Sequence, residues 1–257
     1  MSADEDVAVR YEFAVQMTCG ACVQAVTKAL EKVDGIQESE IDLEGQGVTV
    51  VATARLLDLL AALESTGMKT VVLGMGGTKG NLGAAVAILK SDDPNVHGVV
   101  RFIQLAEKAC LIDATVAGLT PGKHGFHIHE FGDWSNGCIN TGGHYNPGGN
   151  DHGGPDDDNR HAGDLGNIEA GADGVAVFRT VDRVLNVWDI IGRGIVVHAG
   201  EDDLGRGGVP ESKTTGNAGG RVACGTIARS AGVFENTKRI CKCNGTTIWE
   251  EDDLRFA

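Results

Sequence analysis

Six of the eight histidines in this 257-residue chain lie between positions 127 and 198, and a thiol pair stands on either side of them. The pairs are Cys19-Gly20-Ala21-Cys22 and Cys241-Lys242-Cys243. The histidines impose the tighter demand on the fold. His127-Ile128-His129 alternates, so a strand there turns both imidazoles to one face. His144, His152, His161 and His198 follow as candidates for the same cluster. Thiolate pairs prefer soft, monovalent copper. Their position at both ends implies a metal that moves along the chain.

Composition narrows the architecture. Thirty-eight glycines against twelve aromatic residues point to many short strands with tight turns. The formal charge of −14 argues against nucleic acid, whose phosphates demand basic patches. Residues 1–75 carry 5 basic and 12 acidic side chains, which suits solubility or a cationic partner surface. No run approaches the roughly 20 apolar residues needed to span a bilayer, and the acidic Met1–Asp6 stretch lacks a basic leader region, so a cytoplasmic protein is expected. In such a setting cysteines read as metal or redox groups. Cys110, within Ala109-Cys110-Leu111-Ile112, reads as an inert buried thiol. Cys138 and Cys224 are isolated and far apart, so pairing them would be the work of the fold.

The pattern divides the chain at 1–74, 75–81, 82–232 and 233–257. Val7–Val15 alternates as a strand, and apolar residues from Gly20 to Val33 recur at helical spacing until Gly35. Ile36–Leu43 and Gly47–Ala52 form a hairpin pattern, Leu56–Ser65 a second helix and Lys69–Leu73 a last strand. The order βαββαβ predicts an α+β ferredoxin-like unit. Gly74–Asn81 holds four glycines and predicts a hinge. Beyond it come short strands at Ala84–Leu89, Gly98–Leu105, Cys110–Val116, Gly125–His129, Val175–Arg179 and Gly194–His198, the pattern of an all-β Greek-key sandwich or barrel. Glu130–Gly166 has almost no strand pattern, and a loop of that length is normally functional. The last 25 residues form a short tail, expected to be flexible until bound.

With Met17-Thr18-Cys19-Gly20-Ala21-Cys22 in its first βα loop, the first unit resembles the heavy-metal-associated domains. A thiolate beside a helix start is favoured by the dipole, and two on an exposed loop bind Cu(I) and release it by exchange. The middle segment is similar to copper-zinc superoxide dismutases through Gly125–Asp133, Gly143–Pro147, His152–Pro155, Arg160–Asp164, Val197-His198 and Gly216–Gly225. That resemblance implies copper at His127, His129, His144 and His198, and zinc at His144, His152, His161 and Asp164, with His144 shared. It also implies a Cys138–Cys224 disulfide, an outer-shell carboxylate at Asp202 and an anion-guiding guanidinium at Arg221. Thr214 stands where dismutases commonly place a steering lysine.

With the Cys241/Cys243 tail, the whole chain resembles the family of copper chaperones for superoxide dismutase. This implies copper acquisition at Cys19/Cys22, docking of an immature dismutase through a dimer-like surface, and copper delivery with disulfide exchange by Cys241 and Cys243. A homodimer is the expected resting state. The copper ligand set is full, which leaves a second reading: a dismutase in its own right, loaded by its own thiol modules, with Arg221 catalytic.

Overall fold

The computed structural model describes residues 7–236 and 247–249. They form two units: residues 7–84 together with 230–236 and 247–249, and residues 85–229.

The first unit follows the expected order: β1 (Val9–Val15), α1 (Gly20–Leu30), β2 (Ile36–Asp42), β3 (Gly47–Ala52), α2 (Leu56–Glu64) and β4 (Thr70–Gly77). Its antiparallel sheet runs β2-β3-β1-β4. Alternation in β1 buries Val9, Tyr11 and Phe13 completely, and Val26, Ala29, Leu30, Leu56, Leu59 and Leu63 supply the helices' apolar stripes. Burying one such large side chain contributes about 1.5–3 kcal/mol. Helix α1 stops three residues earlier than its periodicity suggested. The chain turns at Gly35, whose φ of +85° an L-residue adopts only with strain.

Strand β4 differs more. It runs to Gly77, through glycines that read as hinge, because Tyr11, Arg10 and Val9 of β1 pair with Met75, Gly76 and Gly77. The glycines serve close approach: a Cβ on Gly74 would lie 2.4 Å from the Gly232 carbonyl oxygen. The C-terminal segment also departs from expectation where it is described. Ile248 packs with Ala14 and Leu73 of the first unit. Cys241 and Cys243 lie outside the described residues.

The second unit is a nine-stranded sheet, ordered β13-β12-β8-β10-β11-β7-β6-β5-β14. Its strands are β5 (Ala84–Leu89), β6 (His97–Ala106), β7 (Ala109–Ala117), β8 (Gly122–His129), β9 (Ser135–Cys138), β10 (Asp164–Ala170), β11 (Ala176–Asp182), β12 (Gly194–His198), β13 (Arg221–Thr226) and β14 (Ala228–Ser230), with β9 outside the main ladder. The sheet curls into a barrel. Lys90, one residue beyond β5, exchanges both backbone hydrogen bonds with Cys224 of β13, at 2.9 and 3.0 Å. Phe102, Ile112, Phe126, Ile128, Ile195 and Val197 fill the core, and Cys110 is fully buried among them. Burial pushes the Cys110 thiol well above its usual range, as expected of an inert cysteine.

Two short strands lie in or beside the stretch without strand pattern. β10 escaped the periodicity because Gly166 sits at φ +78° and the pairing with β8 is irregular between Asp164 and Asn167. β9 is four residues of polar and glycine character before a 3-10 turn at Ile139–Thr141. Among the described residues, no helix is long and apolar enough to cross a membrane.

Candidate metal centre

Strand β8 delivers His127 and His129, β12 ends on His198, and the long loop returns His144, His152 and His161 to Asp164 at the start of β10. Two four-membered groups result: His127, His129, His144 and His198, and His144, His152, His161 and Asp164. Within each, the ligand-type atoms all lie within 4.8 Å of one another.

Each imidazole of the first group has one nitrogen fixed by the protein, which leaves the other facing its neighbours. His129 Nδ1–H donates to the Gly142 carbonyl at 2.9 Å and His198 Nδ1–H to the Gly219 carbonyl at 3.2 Å. Their Nε2 atoms then face each other at 3.3 Å. His127 Nε2–H donates to Asp202 Oδ2 at 2.8 Å, so its Nδ1 is buried without a partner, as is Nε2 of His144. Four lone pairs converging in a buried space repel unless a cation lies between them. Burial holds His127 at about 3 and His198 at about 4, and lowers His129 and His144 as well. Neutral, unpartnered imidazole nitrogens are metal ligands in chemical character.

The second group centres on one oxygen. Asp164 Oδ1 lies 2.7 Å from His144 Nδ1, 3.0 Å from His152 Nδ1 and 3.1 Å from His161 Nδ1. A tetrahedral ion with bonds of about 2.0–2.1 Å sets its ligands roughly 3.3 Å apart. Three nitrogens and a carboxylate at these separations fit a zinc ion with little movement. Burial would raise the Asp164 carboxyl, but hydrogen bonds from the three histidines hold it far below the usual carboxylate range. For His152, burial is again the largest influence and opposes the charge. Asp164 and Asp202 together outweigh it and raise the group to about 9.

Asp202 joins the groups from outside. One oxygen accepts from His127 Nε2–H and the other from His152 Nε2–H, both at 2.8 Å. It thereby sets the ring orientation of one histidine in each group. Its own carboxyl is held at about 2, because these bonds outweigh the burial that would raise it.

Arg221 stands at the mouth of a cavity of about 310 Å³ shared with His129, His144, His198, Glu211 and Thr214. Its Nη1 donates to the Cys138 and Ile139 carbonyls and to Thr141 Oγ1, and its Nη2 to the Gly142 carbonyl. Cys138 and Cys224 are joined as a disulfide.

The Cys19/Cys22 loop belongs to the first unit. Cys19 is the residue before α1, exposed, with its Sγ 3.7 Å from that of Cys22. The backbone N–H and hydroxyl of Thr18, then the Cys19 groups, lower the Cys22 thiol from 9.0 to about 7.

Sequence reasoning missed several supports. The Gly142 and Gly219 carbonyls orient two imidazoles, and backbone groups leave no trace in a sequence. His124 was assigned no role. Its ring spans the carbonyls of His198 and Thr120, at 2.8 Å each, and braces the backbone of a ligand residue. Buried Arg160 ties the Asp164 carbonyl to the Asp182 carboxylate.

Comparison with known proteins agrees with this division. Residues 96–227 match the family described as copper/zinc superoxide dismutase, and residues 12–69 match the heavy-metal-associated domain. A pig protein named copper chaperone for superoxide dismutase is 57% identical over 97% of this chain and 91% of its own. The human protein of the same name is 55% identical over the same shares. An Arabidopsis thaliana protein, named as the chloroplastic/cytosolic form, is 39% identical over 95% of this chain and 71% of its own.

Proposed function

The chain belongs to the family of copper chaperones for superoxide dismutase, and on that premise we propose how its residues divide the work. The protein is a copper chaperone that delivers Cu(I) to copper-zinc superoxide dismutase and promotes formation of the disulfide in its target. The observation that carries this reading is that relatives so named align along 97% of the chain, so the likeness extends well beyond the dismutase-like segment at 96–227. A dismutase in its own right is not favoured for the same reason.

Acquisition falls to residues 1–74. Cys19 and Cys22 are exposed thiols 3.7 Å apart, and Cys22 is substantially deprotonated near neutrality. A two-coordinate Cu(I) held by such thiolates is open to exchange with a third, which makes the site a carrier. The stretch after β4, residues 78–83, leads from this module to the dismutase-like segment.

Zinc is the resident ion of the middle segment, held by His144, His152, His161 and Asp164, where it fixes the long loop and contributes folding free energy. His127, His129, His144 and His198 would hold copper there. Arg221 orders the mouth of that site through the carbonyls of 138–142. Thr214 lines the mouth without a charge, so the field that steers an anion inward is weakened.

The partner, superoxide dismutase, docks on the surface around Phe131 and Ile191. Phe131 is 56% and Ile191 41% exposed, and the backbone beside them comes close where Gly132 meets the Gly192 carbonyl, which supports one apolar surface there. The same patch supports a homodimer of the free chaperone and, with a relative of the same fold, a heterodimer. Cys241 and Cys243, in 233–257, deliver copper. With dioxygen taking up the two electrons and two protons, one of them forms a mixed disulfide with a target cysteine; the target's second thiol then attacks it, closing the target disulfide and returning the tail thiol. Free Cys19, Cys22 and Cys110 suit a reducing compartment, which supports a cytoplasmic location.

The test is activation of a separate copper-free, zinc-loaded, disulfide-reduced dismutase by the Cu(I)-loaded chain, with oxygen admitted and a strong copper chelator present. The expected outcome is activity and a disulfide gained by the target. No gain would overturn the reading.

A further inference from the structure

The turn between β1 and α1 carries Cys19, and one residue of the β2–β3 hairpin grips that turn at two points. The Gln46 carbonyl accepts the Val15 N–H at 2.9 Å, and the Gln46 side-chain Nε2–H donates to the Met17 carbonyl at 2.8 Å. Gln46 does this with φ at +50°. Backbone there is left-handed, where glycine is the default and a glutamine side chain is disfavoured. Such a conformation persists where the surrounding structure over-determines it, and it points to a use for the side chain that is kept. The Met17 carbonyl is one end of a planar unit. The 17–18 peptide is trans, so its carbonyl and the Thr18 N–H point in opposite directions. With the carbonyl turned to Gln46, the Thr18 N–H is turned to the Cys22 sulfur, to which it donates a hydrogen bond. Other contacts fix the turn on either side of this unit. The Gln16 N–H donates to the Lys69 carbonyl at 2.9 Å, and the Met17 side chain, 2% exposed, is anchored in the core. Neither stops the 17–18 plane from rotating about its two flanking single bonds.

We propose that Gln46 is a positioning residue of the Cu(I) carrier: by holding the 17–18 peptide it aims a backbone donor at the Cys22 sulfur before copper arrives. The proposal rests on the reading of Cys19 and Cys22 as the Cu(I) ligands. A thiolate bound to a metal still accepts hydrogen bonds, so the Thr18 N–H serves the loaded loop as well as the empty one. Groups that orient a ligand from outside typically carry about 10–100-fold of a site's affinity, and Gln46, acting through one peptide, is expected at the lower end.

The test titrates the full-length, zinc-loaded, reduced chain without oxygen against Cu(I) buffered by a chelator, and reads occupancy of the loop from the amide resonance of Gly20, which lies between the two cysteines. Because the buffer sets free Cu(I), copper bound elsewhere in the chain does not enter the reading. Gln46→Glu keeps the size of the side chain but offers the Met17 carbonyl no proton. Gln46→Gly deletes the side chain and suits the left-handed backbone. Both variants are expected to lower Cu(I) affinity about tenfold. In both, the Thr18 amide proton should move upfield in the metal-free chain as its bond to sulfur is lost. Gln46→Gly should show these changes with a urea midpoint equal to or above that of the unmodified chain, a combination that a merely structural role does not give. Unchanged affinity in both variants, a Thr18 amide that stays in place, or a loss confined to a variant whose urea midpoint also falls would overturn the proposal. A Gly20 resonance that ignores Cu(I) in the unmodified chain would instead sink the reading of Cys19 and Cys22 as ligands, so the two failures are told apart.

Discussion

Alkylation of Cys22 gives a direct test of how the loop before α1 activates its thiol. With the thiol lowered from 9.0 to about 7, roughly half of Cys22 is thiolate at pH 7, against about 1% for an unperturbed group. The fraction is therefore about fiftyfold larger. A weaker base is also a weaker nucleophile: at a Brønsted slope of about 0.4–0.5, two units of acidity cost about six- to tenfold in intrinsic rate. The net expectation is that iodoacetamide modifies Cys22 about five- to eightfold faster than an ordinary cysteine at pH 7, with a midpoint near pH 7 in the rate profile. Thr18→Ala removes the hydroxyl that lies 3.7 Å from Cys22 Sγ but keeps the backbone N–H groups of Thr18 and Cys19. The midpoint should rise by part of the full shift, and each half unit costs about twofold in thiolate at pH 7. Thr18→Ser should restore the profile. The measurement is mass-spectrometric alkylation of the metal-free chain across roughly pH 5 to 10. A midpoint near 9 in the unmodified chain, or a Thr18→Ala profile identical to it, would refute the account.

Three further outcomes are expected. Replacing Cys138 and Cys224 by serine opens a link across 86 residues, and the loop-closure entropy sets a loss of about 4–5 kcal/mol as the upper bound, measured by urea unfolding of the chain in oxidised and reduced states. Asp202→Ala removes the acceptor of both His127 and His152, so affinity for copper and for zinc should each fall about 10–100-fold in chelator competition, whereas a change confined to one metal would contradict the bridging role. Phe131→Glu puts a charge in the centre of the proposed partner surface. Its complex with dismutase should weaken by about 30-fold or more on a sizing column or by calorimetry, with folding and zinc content unchanged.

Much of this molecule is legible in its residues, for reasons that differ from site to site. Strands such as Gly47–Ala52 and Gly194–His198 are read to the residue because apolar β-branched runs between glycines leave few alternatives. The histidine groups are what the resemblance to copper-zinc superoxide dismutases implies, and the structure brings the residues assigned to each together. What escapes is carried by the backbone or by distance. Gly74 and Gly76 look like a hinge locally, and only the approach of Gly232 and Val233 explains why these strand positions are glycine. The carbonyls that aim His129 and His198 are invisible as side chains. Ile248 and Trp249 read as tail, because nothing near them in sequence signals the apolar patch they cover.

The seam between Lys90 and Cys224 joins positions 134 residues apart, the difference of their numbers. Bringing such distant segments together has a high entropic cost and is slow relative to local pairing. All eight members of the second unit's two ligand groups and their bridge, from His127 to Asp202, lie between those positions. On a ribosome all of them are synthesised before Cys224, at roughly 5–20 residues per second. The ligand residues are thus all made before the strand that closes the wall around them.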